Sequence, residues 1–234
     1  MKQKLNKRKV KTTEANYDER AFWYFFLSPS FIFKLRCALY DLIDKNVNFN
    51  SRFKVLDLGV GDNDHNYFHK LYPHRKNITA AGLARRNKIL NRDYPLIKYV
   101  QINTKFPYPF KSGEFDFIHS SAVIEHVGSR KRQQQFLIEL NRIGKSGAVT
   151  TPNRWFPLEV HTFLPLIHWL PTKIYRKIFI LLGLKYYAKE RNLNLLTLQD
   201  LIDLASKAGF KSYKIIAKKT LGFDSNYLLM WSQK

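Results

Sequence analysis

The sequence predicts an α/β domain built on a mostly parallel sheet of seven strands, and three observations predict it. Short apolar strands alternate with helical segments from Arg52 to Thr151, a Gly-x-Gly turn follows the first strand, and two strands close the chain behind a helix. Strands separated by helices pair in parallel through right-handed crossovers, so the alternation reads as successive βαβ units. The two closing strands have only a loop between them and read as a hairpin, which sets the last strand antiparallel to its neighbours.

The elements follow in order. Residues 1–15 are polar and basic and read as a disordered tail. Residues 16–50 read as a helical cover, where Ile32, Leu35, Leu39, Leu42 and Ile43 recur at three and four and mark one buried stripe. The main domain spans 51–234. Its strands are expected at Arg52–Leu58 (RFKVLDL), Asn77–Leu83, Ile97–Ile102, Phe115–Ser120 and Gly147–Thr151, with helices at Asn66–Leu71 and Ser129–Ile143. Pro152 stops the fifth strand. Residues 153–194, rich in aromatics, Pro and His, are too long for an ordinary connection and read as an insert. Thr197 is the expected N-cap of a helix to Ala208, and Gly209 ends it. Lys211–Ala217 and Asn226–Trp231 form the terminal hairpin.

Composition sets the class. A hydrophobic share of 45% with 25% charged residues is that of a globular chain. The single cysteine, Cys37, cannot form an internal disulfide and fits a reducing cytosol. Forty Lys and Arg against eighteen Asp and Glu give a net charge of +22, a field that attracts nucleic acid or an anionic membrane. The charge is spread along the chain, and no basic recognition helix or RNA-binding strand motif accompanies it, which disfavours nucleic acid. No run reaches the roughly 18 apolar residues of a membrane span. Nor does the start read as an export signal, because its apolar region begins too late. The expected location is cytoplasmic, with attachment to an anionic membrane surface through Lys2, Lys4, Lys7, Arg8, Lys9 and Lys11 and the aromatic run Phe22–Phe26. Those aromatics equally suit a lid over a ligand site.

An apolar strand, an acid and Gly59-x-Gly61 form the turn on which nucleotide-type cofactors sit, because glycine permits a sharp turn and close backbone approach. VLDLGVGDND resembles motif I of class I S-adenosylmethionine (SAM)-dependent methyltransferases, a Rossmann-like fold. FPYPFKSGEFDFIHSSAVIEHVGS resembles the same family from the end of strand three through strand four. SSAVIEHVGSR with TTPNRWFPLEVHTFLPLIHWLP is similar to a bacterial subgroup of the type 11 methyltransferases associated with envelope polysaccharides.

The resemblance implies S-adenosyl-L-methionine as cofactor. Asp57, Gly59 and Gly61 would contact its methionine and ribose parts, Asn103 its adenine, and Ser120 and Ser121 would lie beneath it. Three positions depart from the pattern: Asn63 replaces the third glycine, Ala84 replaces the acid that takes the ribose hydroxyls, and Asn103 stands where Asp is usual. Asn87 or Asp62 would then substitute at the ribose, or the chain is a catalytically inactive member. Arg85 and Arg86 raise an NADP-dependent oxidoreductase, but Asp64 stands where a dinucleotide fingerprint needs glycine.

For the reaction, His126 is the expected base and Glu125 its partner, with helix capping as the competing role for both. His119 alternates with apolar residues and reads as a core histidine. Within the insert, Arg154, Glu159 and His161 are the expected acceptor contacts, suited to a sugar or phosphorylated group. The histidines and cysteine show no zinc-type spacing, so no metal is expected. The reading is methylation of an oxygen on a small-molecule, glycan or lipid-linked envelope precursor.

Overall fold

The computed structural model describes residues 29–61 and 67–233, with the side chains of 29–32 left outside the description. The basic tail, the aromatic run, Asp62, Asn63, Asp64 and His65 therefore lie outside the described residues. The first described element is helix α1 (Pro29–Asp44), whose Leu39 and Ile43 are buried as the stripe requires.

Strands β1 (Val55–Leu58), β2 (Ile78–Gly82), β3 (Lys98–Gln101), β4 (Phe117–Ser121) and β5 (Ser146–Pro152) are mutually parallel. They are joined by α2 (Phe68–Leu71), α3 (Lys88–Asp93) and α4 (Arg130–Ile143). After β5 come α5 (Thr172–Leu181), α6 (Leu198–Lys207) and the hairpin of β6 (Ser212–Thr220) and β7 (Phe223–Ser232). The sheet order is β3-β2-β1-β4-β5-β7-β6. The last strand inserts between β5 and β6 and runs antiparallel to both, so Val149 faces Leu229.

Alternation along the strands divides the core between two faces. Leu56, Leu58, Ile118 and Val149 pack with Leu137, Leu140 and Ile143 of α4 and Leu201 and Leu204 of α6. Val55, Phe117 and Ala148 pack on the other face with Ile43 of α1, Phe68 of α2 and Leu90 of α3. The same period assigns the polar residues at the strand ends. Asp57, His119, Ser121 and Thr150 point to the α1–α3 face, and Ser120 and Thr151 to the α4 face.

Two helices were not anticipated. Asn87 caps α3 by accepting the Leu90 N–H at 2.8 Å. The insert contains α5 and a core of its own, built from Tyr175, Phe179, Tyr187, Leu193 and Leu195. Thr197 caps α6 as expected, in a reciprocal box with Asp200, and Gly209 leaves the helix at a φ of +76°.

Candidate active site

Strand order reverses between β1 and β4, where consecutive connections leave in opposite directions and open a crevice at the carboxyl ends. Gly59 lies there at a φ of +92°, and a Cβ on it would stand 2.2 Å from Cγ2 of Val123, so the loops after β1 and β4 meet at this glycine. Gly82 is equally constrained, since a Cβ would stand 2.1 Å from the carbonyl oxygen of Val60. A lateral groove of about 480 Å³ lies at the end of β3, lined by Ile102, Asn103, Lys105, Pro107, Tyr108 and Pro109 among others. Asn103 accepts the Lys105 N–H at 2.7 Å and is exposed.

The carboxylate of Asp57 turns inward. It accepts Nδ1 of His119 at 2.7 Å and has His69 Nδ1 at 3.6 Å, and it is buried. His119 Nε2 in turn meets the Tyr67 hydroxyl at 2.9 Å, and its ring stacks on Phe68 at 4.2 Å. Burial alone would raise the Asp57 carboxyl, but the charge and hydrogen bond of His119, helped by His69, lower it. His119 is thus the core histidine that its alternation suggests. Ser121 shares a hydrogen bond of 2.8 Å with Thr150 on this face. Ser120 is fully buried on the other, and its Oγ has no partner among the described residues.

A second cluster forms on the α4 face, where the insert folds back over β4 and β5. Glu125 and His126 lie on a short 3-10 turn (Ile124–His126) after β4. The end of the insert is tied to this turn by the Asn194 N–H, which donates to the Glu125 carbonyl at 2.7 Å. His126 Nδ1 donates to the Asn192 carbonyl at 2.6 Å. Its Nε2 faces His161 Nε2 at 3.1 Å. The Glu125 carboxylate sits below both rings, with Oε1 3.9 Å from His126 and 3.8 Å from His161, and Oε2 accepting Thr151 at 3.2 Å. Burial pushes the Glu125 carboxyl up to about 7, against the charge of His161. Neither residue caps a helix; Ser129 occupies the N-cap of α4.

Two residues expected as acceptor contacts make bonds within the insert. Glu159 is buried and accepts His161 Nδ1 at 2.7 Å and the N–H groups of His161 and Thr162, so it orients His161. Burial opposes its ionisation, but His161 and those donors outweigh it and hold the carboxyl at about 2. Arg154 lies over the rings of Trp155 and Tyr175 and donates to the Leu170 carbonyl, which is packing within the insert. Asn87, the alternative ribose contact, caps α3 with its oxygen, and its amide donates to the Gly61 carbonyl at 3.0 Å.

A seven-stranded sheet of this order, with a glycine turn after its first strand, defines the class I methyltransferase fold. Residues 56–150 match the family model described as Methyltransferase domain, so this part of the chain carries a methyltransferase domain. A protein of Pyrococcus horikoshii OT3 superposes with a TM-score of 0.59 over 94% of this chain and 100% of its own, at 15% identity. A SAM-dependent methyltransferase of Methanosarcina mazei gives 0.52 over 81% and 96%, at 15% identity. PigF with SAH gives 0.52 at 17% identity; the match covers 86% of this chain and 56% of PigF. At these identities the likeness shows the fold. No curated protein sequence matches the chain.

The residues fit the cofactor at two points and depart from it at one. The unpartnered Ser120 hydroxyl is a buried polar group awaiting a bond, and the Gly59 turn keeps side chains out of the crevice. Ala84 offers no carboxylate to a ribose; its carbonyl accepts the Tyr99 hydroxyl at 2.9 Å.

Proposed function

We propose that this methyltransferase modifies a hydroxyl oxygen of a glycan or lipid-linked envelope precursor at the inner face of an anionic membrane, with Gly59, Gly61, Ser120 and Asn103 holding the cofactor. The observation that carries the oxygen acceptor is the tautomer of His126. With Nδ1–H committed to the Asn192 carbonyl, its Nε2 bears a lone pair, and a hydroxyl needs such a base as it is methylated. Its side chain is 33% exposed, whereas those of Glu125 and Glu159 are sealed, so His126 is the member an acceptor can reach. When bound, S-adenosyl-L-methionine supplies a methyl carbon already activated on a sulfonium. His126 would take up the proton of the acceptor hydroxyl as that oxygen is methylated. Glu125 stabilises the charge that develops on the imidazole, and Glu159 with His161 keeps the neighbouring ring in place.

The lipid-linked part of the reading rests on the outer surface of the insert. Trp169, Ile174, Ile180, Leu181 and Leu182 are exposed there, and Lys173, Lys177 and Lys185 are interspersed along the same stretch. Apolar side chains among lysines suit the boundary between headgroups and acyl chains. The test is transfer of labelled methyl to polyisoprenyl-linked saccharides in anionic liposomes. Label should enter the saccharide, and His126→Ala should slow transfer by about 10²–10⁴-fold. Label entering nucleic acid or protein while the saccharides stay unlabelled would overturn the reading.

A further inference from the structure

We infer that Glu125, His126 and His161 bind a divalent transition-metal ion of the zinc, cobalt or manganese kind. Three ligand atoms converge: Nε2 of each histidine and Oε1 of Glu125, separated by 3.1, 3.8 and 3.9 Å. The point equidistant from atoms so spaced lies about 2.1 Å from each, which is the bond length of such ions to imidazole and carboxylate.

The protonation pattern supports the same conclusion. The Asn192 carbonyl can only accept, so His126 carries its hydrogen on Nδ1. Glu159 accepts two backbone N–H groups along with His161 Nδ1, so His161 also carries its hydrogen on Nδ1. Two Nε2 lone pairs therefore face each other at 3.1 Å, above a sealed carboxylate oxygen that has no hydrogen-bond partner. Three acceptors aimed at one point repel unless a cation lies between them. The two outer hydrogen bonds, to a carbonyl and to a carboxylate, are those that fix metal-bound imidazoles in orientation.

Two histidines and one carboxylate leave further coordination positions vacant, as in catalytic rather than closed structural sites. The side chain of His126 is the partly exposed member of the three, at 33%. With the ion bound, His126 Nε2 is a ligand and not the base; that a hydroxyl of the acceptor then enters a vacant position, acidified by the ion with its proton lost to water, rests only on the acceptor class proposed above. Binding of the ion does not.

The competing occupant is a single proton shared between the rings. Full-length protein stripped with a chelator would be titrated calorimetrically with Zn²⁺, and by absorption with Co²⁺, without cofactor or acceptor. The expected result is one high-affinity ion per chain with Co²⁺ d–d bands. Glu125→Gln and His126→Asn should each weaken that binding tenfold or more while the far-ultraviolet circular dichroism is unchanged; His126→Asn alters a partly exposed side chain, so it serves if the buried substitution unfolds the chain. Absence of Co²⁺ bands and of zinc heat up to millimolar ion, or binding in His126→Asn equal to wild type, would overturn the inference. S-adenosylhomocysteine binding is measured separately on the stripped protein, so a failed cofactor and a failed metal site give different results.

Discussion

Asp57 shows how one residue answers two demands. Its place after an apolar strand and before Gly59 suggested a ligand contact, yet its carboxylate is spent on His119 and His69 inside the sheet face. The folded carboxyl is held below its ordinary value, so the stability it adds is complete above a pH of about 4 and is lost as pH falls through the folded value. Asp57→Asn should therefore cost about 1–3 kcal/mol at neutral pH, by weakening a buried charge-assisted hydrogen bond. It should also flatten the loss of stability below a pH of about 4. Denaturant unfolding at pH 7 and pH 3.5 checks both; parallel curves for the two proteins would mean that the array contributes nothing. Asn87 makes a similar point, since a polar side chain beside a ligand loop serves the loop's own backbone.

At the scale of elements, the insert decides most of what is particular to this chain. Helix α5 buries Tyr175 and Phe179 against Tyr187 and Leu193, and leaves Ile174, Ile180 and Leu181 outside. Leu181 is 84% exposed, an expensive position for a large apolar side chain unless something covers it. If that cover is lipid, Ile180→Asp with Leu181→Asp should lower binding to anionic liposomes at least tenfold, since each side chain contributes about 1.5–3 kcal/mol on burial. Sedimentation at low salt measures it. Equal pelleting of the double variant and wild type would leave attachment to residues outside the described ones. None of the helices among the described residues is long and apolar enough to cross a membrane.

For the whole molecule, ligand binding and stability are linked, and the two nucleotide readings separate cleanly. S-adenosylhomocysteine at a hundredfold its dissociation constant should stabilise the fold by about 2.7 kcal/mol, or roughly 5–10 °C in Tm for a chain of this size. NADPH should produce no shift. Thermal melts with each ligand provide the measurement, and stabilisation by NADPH alone would contradict the cofactor assignment.

The alternating strands, the antiparallel final strand, the Gly59 turn and the core position of His119 were legible in the sequence, because each depends on local period, turn chemistry or the facing of a strand. What the sequence could not determine was which distant groups meet. His126 and His161 are 35 residues apart, and spacing rules find metal ligands only where neighbours along a helix or loop supply them. Here the pairing depends on the insert folding back, so that Asn192 and Asn194 dock on the turn after β4 and bring His161 over Glu125. Glu159, taken as an acceptor contact, became the residue that orients His161 for the same reason: burial is a property of the packed chain. Local chemistry thus determined the scaffold and the glycine turn at its edge, and tertiary packing alone decided that Glu125, His126 and His161 meet.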